Sequence, residues 1–227
     1  MGLRALLFDL DGTLVDTNEV HVDAWLEVLA RRGHHPRRER VAREIGKGGR
    51  FLVEAVLGPS ASRADLEDLP DAESARFREL VAVRHVAAFP AATRLLAAAR
   101  ERGLATALAT SSQVEQLDGV MESLGLDLRE RVDATITADD VRRAKPYPDP
   151  VRAAAAALGV EPRRCALVGD TAHDVDAAAL AGAVSVGVAT FVWAREELVE
   201  RGASSAWADP ADLEAHLDRA LELAARR

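Results

Sequence analysis

Beyond Phe89 the sequence alternates between segments with a helical pattern and short apolar runs, with glycines between many of them. Short apolar runs separated by single helices are typical of a doubly wound parallel sheet, so the chain is predicted to be an α/β protein. Asp149 and Pro150 are expected to cap and begin one of the helices. The predicted strands are 104–109, 134–137, 166–169 and 184–188, and the predicted helices are 91–102, 113–124, 149–158 and 175–181.

Residues 16–88 interrupt this alternation, because they contain several helical patterns and no clear buried strand. An all-helical insertion after the first strand would form a separate small domain. We therefore predict a core domain of residues 1–15 and 89–227 and a helical cap of residues 16–88, hinged near 16–17 and 89–90.

The composition limits the class of partner. A formal net charge of −8 over 227 residues argues against nucleic acid or an anionic membrane surface. The single cysteine, Cys165, lies in an apolar run and is expected to pack as a small buried hydrophobe. No targeting segment is readable, and no apolar run reaches the roughly 18 residues of a membrane span. A cytoplasmic location is expected, whereas the sequence does not predict an oligomeric state.

Asp9 and Asp11 follow the N-terminal apolar run and precede Gly12. In an extended segment residues i and i+2 point to the same face, so both carboxylates are predicted to project into one cleft. Two adjacent carboxylates repel each other and need a cation or a shared proton. A charged turn at the strand end is the alternative.

Asp170 directly follows another predicted strand, and Asp174 lies four residues later. Because ligands bind at the carboxyl ends of parallel strands, Asp170 is expected to complete a hard-cation site with Asp9, and Asp174 is expected to support it. A helix N-cap role for Asp170 and a helix-dipole role for Asp174 are the alternatives. His173, between them, is expected to face solvent.

Two further segments supply groups for an anion. Thr110 and Ser111 follow an apolar run, where hydroxyls and backbone amides at a helix N-terminus hold phosphate oxygens. Ordinary N-capping is the alternative for this segment. Lys145 precedes the rigid sequence PYPDP, which would aim its ammonium group at one point and neutralise the paired carboxylates.

These segments together resemble the four motifs of the haloacid dehalogenase superfamily, in the same order and at strand ends. The matching segments are FDLDGTLVDT at 8–17, LATSS at 108–112, KPYPDP at 145–150 and VGDTAHDV at 168–175. The helical insertion is similar to the cap of its C1-capped phosphatases and β-phosphoglucomutases.

The resemblance implies a magnesium-dependent enzyme. Asp9 would be the nucleophile that forms an aspartyl phosphate, and Asp11 the general acid and base. Magnesium would be held by Asp9, Asp170 and the main-chain carbonyl of Asp11, while Thr110 and Lys145 would hold the phosphoryl group. Since a free aspartate titrates at about 3.9, the site is expected to raise the pKa of Asp11 through burial and nearby negative charge.

Hydrolase and mutase remain alternatives at this point. His21, Lys47 and Arg50 are candidate cap contacts to substrate, and His21 and Arg50 fall where the β-phosphoglucomutase branch contacts sugar phosphate. The resemblance also implies an extra acidic residue in mutases where this chain has Gly169, which favours a phosphatase for a small metabolite such as a sugar phosphate or phosphoglycolate. A non-catalytic binding protein is the third alternative, but it is expected to have lost one of Asp9, Asp11, Lys145 or Asp170.

Overall fold

The computed structural model describes residues 2–226 and contains a six-stranded parallel sheet. The strands are β1 (Ala5–Phe8), β2 (Ala105–Ala109), β3 (Ala134–Ile136), β4 (Cys165–Gly169), β5 (Val184–Val188) and β6 (Ser205–Trp207). Their spatial order is β3-β2-β1-β4-β5-β6, and every neighbouring pair is parallel. β1 therefore lies between β2 and β4.

Helices cover both faces of the sheet. They are α1 (Asn18–Arg31), α2 (Arg38–Glu44), α3 (Gly49–Leu57), α4 (Arg63–Arg84), α5 (Ala92–Glu101), α6 (Val114–Leu124), α7 (Asp149–Ala157), α8 (Ala172–Ala181), α9 (Arg195–Arg201), α10 (Pro210–Ala215) and α11 (Leu217–Ala224). In β1, Leu6 and Phe8 pack with α5, α6, α10 and α11, whereas Ala5 and Leu7 pack with α7 and α8. This alternation has the period of two that a strand buried on both faces requires, and the predicted α/β fold is confirmed.

The helical cap contains α1 to α4. Where the chain leaves and re-enters the core, two segments run side by side: Phe89 N donates to Leu14 O over 2.9 Å and Asp16 N to Ala87 O over 3.0 Å. The proposed division between core and cap falls at these segments. Phe77 and Leu80 of α4 belong to the same apolar cluster as β1, so the cap packs directly on the core.

The sequence predicted the strands it named to within one residue, but the starts of two helices differ and four elements were not predicted. Asp149 is the first residue of α7 rather than its cap, and Pro148 precedes it. α8 begins three residues earlier than predicted, because Thr171 caps it and accepts a hydrogen bond from Asp174 N. The short strand β6 and the helices α9 to α11 were not predicted.

Cys165 is fully buried at the start of β4, as expected. Within residues 2–226 we find no helix with the length and apolar character that crossing a bilayer requires.

Candidate active site

The ends of three neighbouring strands meet beside a small cavity. Asp9 follows β1, Thr110 follows β2, and Asp170 follows β4, so sheet order brings the three residues to one edge. The cavity has a volume of about 40 Å³. Its walls include Asp9, Asp11, Thr110 and Ser111 from the core and His21, Trp25, Lys47 and Glu73 from the helical cap.

Asp9 is fixed by a buried ammonium group. Lys145 Nζ lies 2.6 Å from Asp9 Oδ1 and 2.7 Å from Asp174 Oδ1, and the Lys145 side chain is 0% exposed. Burial alone would lower the pKa of Lys145, but the charges of Asp174 and Asp9 raise it, so the group stays a cation. Burial raises the pKa of Asp9 to about 7, although Lys145 opposes that effect.

Asp170 is held from the segment that follows β1. Asn18 Nδ2 donates to Asp170 Oδ2 over 2.8 Å and Thr13 Oγ1 donates to Asp170 Oδ1 over 3.3 Å. Gly12 has a φ of +74°, and a Cβ there would lie 2.1 Å from Asn18 Nδ2 and 2.3 Å from Asp170 Oδ2. Only glycine therefore suits this turn, both in conformation and in space.

Three carboxylates form the one cluster in residues 2–226 whose donor atoms suit a metal ion. Oxygens of Asp9, Asp170 and Asp174 lie within 4.8 Å of one another, and all three residues are buried. Burial raises the pKa of Asp170, and the negative charges of Asp174 and Asp9 raise it further. Because Lys145 supplies one positive charge against three carboxylates, an oxygen-preferring cation such as Mg²⁺ fits this donor set.

The Asp174 carboxylate binds both Lys145 and the N-terminus of α8. Its Oδ1 accepts from Lys145, while its Oδ2 accepts from Thr171 Oγ1 over 2.6 Å and Thr171 N over 3.1 Å. Both carboxylate oxygens are thus already engaged, which favours the predicted supporting position for Asp174. The N-cap of α8 is Thr171, so the alternative N-cap role of Asp170 is wrong.

Asp11 is surrounded by donors, and the expected direction of its pKa shift was wrong. Oδ1 accepts from Thr17 Oγ1 over 2.7 Å, Oδ2 accepts from Ser112 Oγ over 2.6 Å, and His21 Nε2 lies 3.3 Å from Oδ1. Burial would raise the pKa of Asp11, but the charge of His21 and the hydrogen bonds outweigh it, so the pKa is lowered well below its usual value. The paired carboxylates therefore have separate cations, Lys145 for Asp9 and His21 for Asp11.

The hydroxyl groups after β2 also lie at the cavity. Thr110 Oγ1 accepts from Ser112 N over 3.0 Å and lies 3.4 Å from Asp11 Oδ2. Ser111 Oγ is buried and has no hydrogen-bond partner among residues 2–226. A buried hydroxyl without a partner at a cavity wall is free to bind a phosphate oxygen.

The three cap candidates differ in placement. His21 and Lys47 line the cavity, and Lys47 forms an ion pair with Glu44. Arg50 does not reach the cavity: its side chain is 63% exposed and its Nε lies 3.2 Å from Glu54 Oε1. The structure thus brings two of these residues to the site and leaves Arg50 on the outer surface of α3.

His173 is buried, so the expectation of a solvent-facing histidine was wrong. Its Nε2 lies 3.1 Å from the main-chain oxygen of Arg43 in the helical cap, and its ring contacts Trp193 edge-on. Burial lowers the pKa of His173. This residue therefore packs at the contact between cap and core.

Several residues at the site were not predicted from the sequence. Thr17 ends the first motif and Asn18 directly follows it, and their hydrogen-bonding side chains near the aspartates were an available signal. Ser112 ends the second motif, but its hydrogen bond to Asp11 was not predicted. Glu73 lies in the middle of the polar helix α4, and Gln116 lies in the first turn of α6. No sequence pattern distinguishes either residue from surface residues.

Comparison with known proteins identifies the family of the chain. The family model for haloacid dehalogenase-like hydrolases matches residues 3–182. The N-acetylmuramic acid 6-phosphate phosphatase of Pseudomonas aeruginosa is 32% identical over 223 residues, which cover 97% of each protein. The phosphoglycolate phosphatase of Rhodospirillum rubrum is 34% identical over 217 residues, covering 92% of this chain and 89% of the relative.

A solved structure agrees over nearly the whole chain. The crystal structure of a hydrolase from Pseudomonas syringae superimposes with a TM-score of 0.87 at 30% identity, covering 95% of this chain and 98% of the other. The expectation of an enzyme is confirmed, as is the resemblance on which it was based. The chain belongs to the haloacid dehalogenase-like hydrolases.

Proposed function

We propose that this protein is a magnesium-dependent phosphatase that hydrolyses the monoester of a small phosphorylated metabolite through an aspartyl phosphate on Asp9. The observation that carries this proposal is the position of Asp9: it ends the central strand, contacts Lys145 over 2.6 Å and belongs to the three-carboxylate cluster. The phosphatases among its relatives support the same reaction class.

The residues divide the reaction into two displacements. In the first, an Asp9 oxygen bonds to phosphorus, the bond from phosphorus to the alcohol oxygen breaks, and that oxygen takes a proton from Asp11, which receives it from the protonated His21 beside it. In the second, Asp11 accepts a proton from water as the water oxygen attacks phosphorus, and Asp9 is released. Lys145, Thr110 and Ser111 hold the phosphoryl oxygens.

Magnesium would be held by Asp9, Asp170 and the main-chain carbonyl of Asp11, with Asp174 in support. When bound, the ion supplies positive charge that balances the carboxylates and the phosphoryl oxygens. Asn18 and Thr13 keep the Asp170 carboxylate oriented toward the cluster.

Gly169 favours hydrolysis over phosphoryl transfer to a second sugar position. A Cβ at Gly169 would lie 2.3 Å from Asp174 Cγ, so the Asp174 carboxylate occupies the space that a side chain at 169 would need. The acidic residue that the resemblance implies for a mutase at this position is absent from the sequence and has no room beside Asp174.

The cap wall of the cavity offers a positive charge for a second anionic group on the substrate. Lys47 lies in the cap wall of the cavity with its side chain 17% exposed. Phosphoglycolate and N-acetylmuramic acid 6-phosphate, the substrates in the names of two relatives, both contain a carboxylate that this ammonium would pair with.

Phosphate release from a panel of esters tests the proposal. The panel contains phosphoglycolate, N-acetylmuramic acid 6-phosphate, glucose 6-phosphate and p-nitrophenyl phosphate, each with Mg²⁺ and with a chelator. We expect release that requires Mg²⁺ and is fastest for a carboxylate-bearing ester. No release from any ester would refute the phosphatase, and conversion of β-glucose 1-phosphate to glucose 6-phosphate would identify a mutase instead.

A further inference from the structure

A chain of buried hydrogen bonds runs from the core, through the helical cap, to Asp11. Gln116 Nε2 donates to Glu73 Oε2 over 3.0 Å, Glu73 Oε1 lies 2.8 Å from His21 Nδ1, and His21 Nε2 lies 3.3 Å from Asp11 Oδ1. All four side chains are buried. This series of hydrogen bonds crosses between core and cap twice. Gln116 lies in α6 of the core, whereas Glu73 and His21 lie in α4 and α1 of the cap, and Asp11 lies in the core again.

We propose that Glu73 and Gln116 are positioning residues that hold His21 against Asp11 only while α4 of the helical cap is packed on α6 of the core. This proposal rests on the proposed function, in which Asp11 is the general acid and base. Opening of the cap at this contact would break the bond between Gln116 and Glu73 and release the support behind His21.

Gln116 is fixed as a donor toward Glu73. Its Oε1 accepts a hydrogen bond from Gln113 N over 2.9 Å at the first turn of α6. A flipped amide would place its NH₂ group against that N–H and its oxygen against the Glu73 carboxylate, so both contacts would become repulsive. The first turn of α6 therefore fixes Gln116 as the donor in its hydrogen bond with Glu73.

α4 supplies both a partner and a packing surface for His21. Glu73 and Phe77 lie four residues apart and therefore on one face of the helix. The His21 ring stacks on Phe77 with ring centroids 3.8 Å apart and an angle of 13° between the planes. A shift of α4 would thus move the hydrogen-bond partner and the stacking partner of His21 together.

The test exchanges the amide of Gln116 and the carboxylate of Glu73 across the contact between α6 and α4. Gln116→Glu keeps the shape and the acceptor for Gln113 N but places a carboxylate against Glu73. We expect kcat/KM to fall by roughly tenfold to a hundredfold, the effect of losing one hydrogen bond to a charged group. The double variant Glu73→Gln with Gln116→Glu restores the bond with donor and acceptor exchanged, but it moves the carboxylate away from His21, so kcat/KM should recover in part, to at least about threefold above that of Gln116→Glu.

Gln113→Glu is the matched control. Gln113 Nε2 donates to Asp71 Oδ1 of α4 over 3.3 Å. The same substitution is therefore made at a second contact between a glutamine and a carboxylate of α4. This second contact is exposed and does not lead to His21. It should retain activity within about threefold of the wild type.

Hydrogen exchange of the α4 amides in the unliganded proteins gives a second readout that needs no turnover. Exchange should be faster in Gln116→Glu and return toward the wild-type rate in the double variant. Wild-type rates and exchange in Gln116→Glu would overturn the proposal, as would a double variant no better than Gln116→Glu. If Gln116→Glu does not fold, a folded and active double variant supports the proposal and an unfolded one contradicts it.

The two proposals fail separately. Absence of phosphate release by the wild type would refute the phosphatase, whereas the exchange pattern of α4 would still report whether Gln116 and Glu73 hold the cap on the core.

Discussion

The two walls of the cavity are built differently. On the strand-end wall, Asp9 lines the cavity, and the buried Asp170 and Lys145 lie beside it in the core. On the cap wall, Lys47 is partly exposed and pairs with Glu44, and His21 contacts Glu73, which accepts a hydrogen bond from Gln116 of α6. The strand-end wall is therefore preorganised for charge, whereas the cap wall is suited to selection and alignment of the substrate.

The strand-end wall should be sensitive to the smallest change at its centre. Asp9→Asn keeps the size of the side chain but removes the proposed nucleophile, so we expect kcat to fall by at least roughly four orders of magnitude. Initial rates of phosphate release with Mg²⁺ measure the effect. Asp16→Asn, at an exposed position nearby, should stay at the wild-type rate; equal loss in both variants would contradict the assignment.

Asp11 belongs to the same wall but contacts the cap through His21. Asp11→Asn removes the proton donor and acceptor, so turnover should fall by roughly two to four orders of magnitude. Steady-state rates on an ester with a poor leaving group measure this change most clearly. A variant within about threefold of the wild type would remove Asp11 from the chemistry.

Gly12 tests whether the turn that follows Asp11 positions Asp170. Gly12→Ala would place a methyl group among Asn18 and Asp170 at a positive φ, so activity should fall about a hundredfold because the metal cluster is displaced. Stability should also fall, by at least about 1–2 kcal/mol.

Gly33→Ala provides the control for that change. Gly33 has a φ of +81°, and an added Cβ there would have nothing within 4 Å. Gly33→Ala therefore has the same cost of a positive φ as Gly12→Ala, but no steric clash. Its thermal unfolding should shift while its activity remains. Equal activity in the two variants would show that crowding at Gly12 does not disturb the site.

The cap wall should give the smallest and most substrate-dependent effect. Lys47→Met should raise KM for carboxylate-bearing esters by about fivefold, because the partly exposed ion pair between Lys47 and the substrate carboxylate is lost. The KM for p-nitrophenyl phosphate, which has no carboxylate, should stay nearly unchanged. Arg50→Met, on the outer surface of the same segment, should change neither. A uniform loss across all esters would place Lys47 in the chemistry rather than in selection.

The strand-end wall was predictable from the sequence because its residues depend on local pattern. An apolar run followed by a polar group places Asp9, Thr110 and Asp170 at the carboxyl ends of strands, and adjacency in the sheet then brings them together. The short strand β6 lacked a comparable apolar run, and its position depends on pairing with β5.

The cap wall was not predictable in the same way. Glu73 and Gln116 are 43 residues apart, and their contact exists only because α4 packs on α6. The same reason explains the pKa of Asp11: the sequence showed the neighbouring carboxylate, but not that His21 would contact Asp11. Side chains that meet through helix packing have no periodic signature in the sequence.

Chemical trapping of the intermediate tests the central claim, that Asp9 forms the covalent bond to phosphorus. The enzyme is quenched during turnover of its best substrate with Mg²⁺ and treated with borohydride, which reduces an aspartyl phosphate to homoserine, and the peptide is sequenced by mass spectrometry. The account predicts homoserine at position 9, none at position 11, and none when substrate is omitted. Turnover with no homoserine at position 9, or with homoserine at another aspartate, would contradict it.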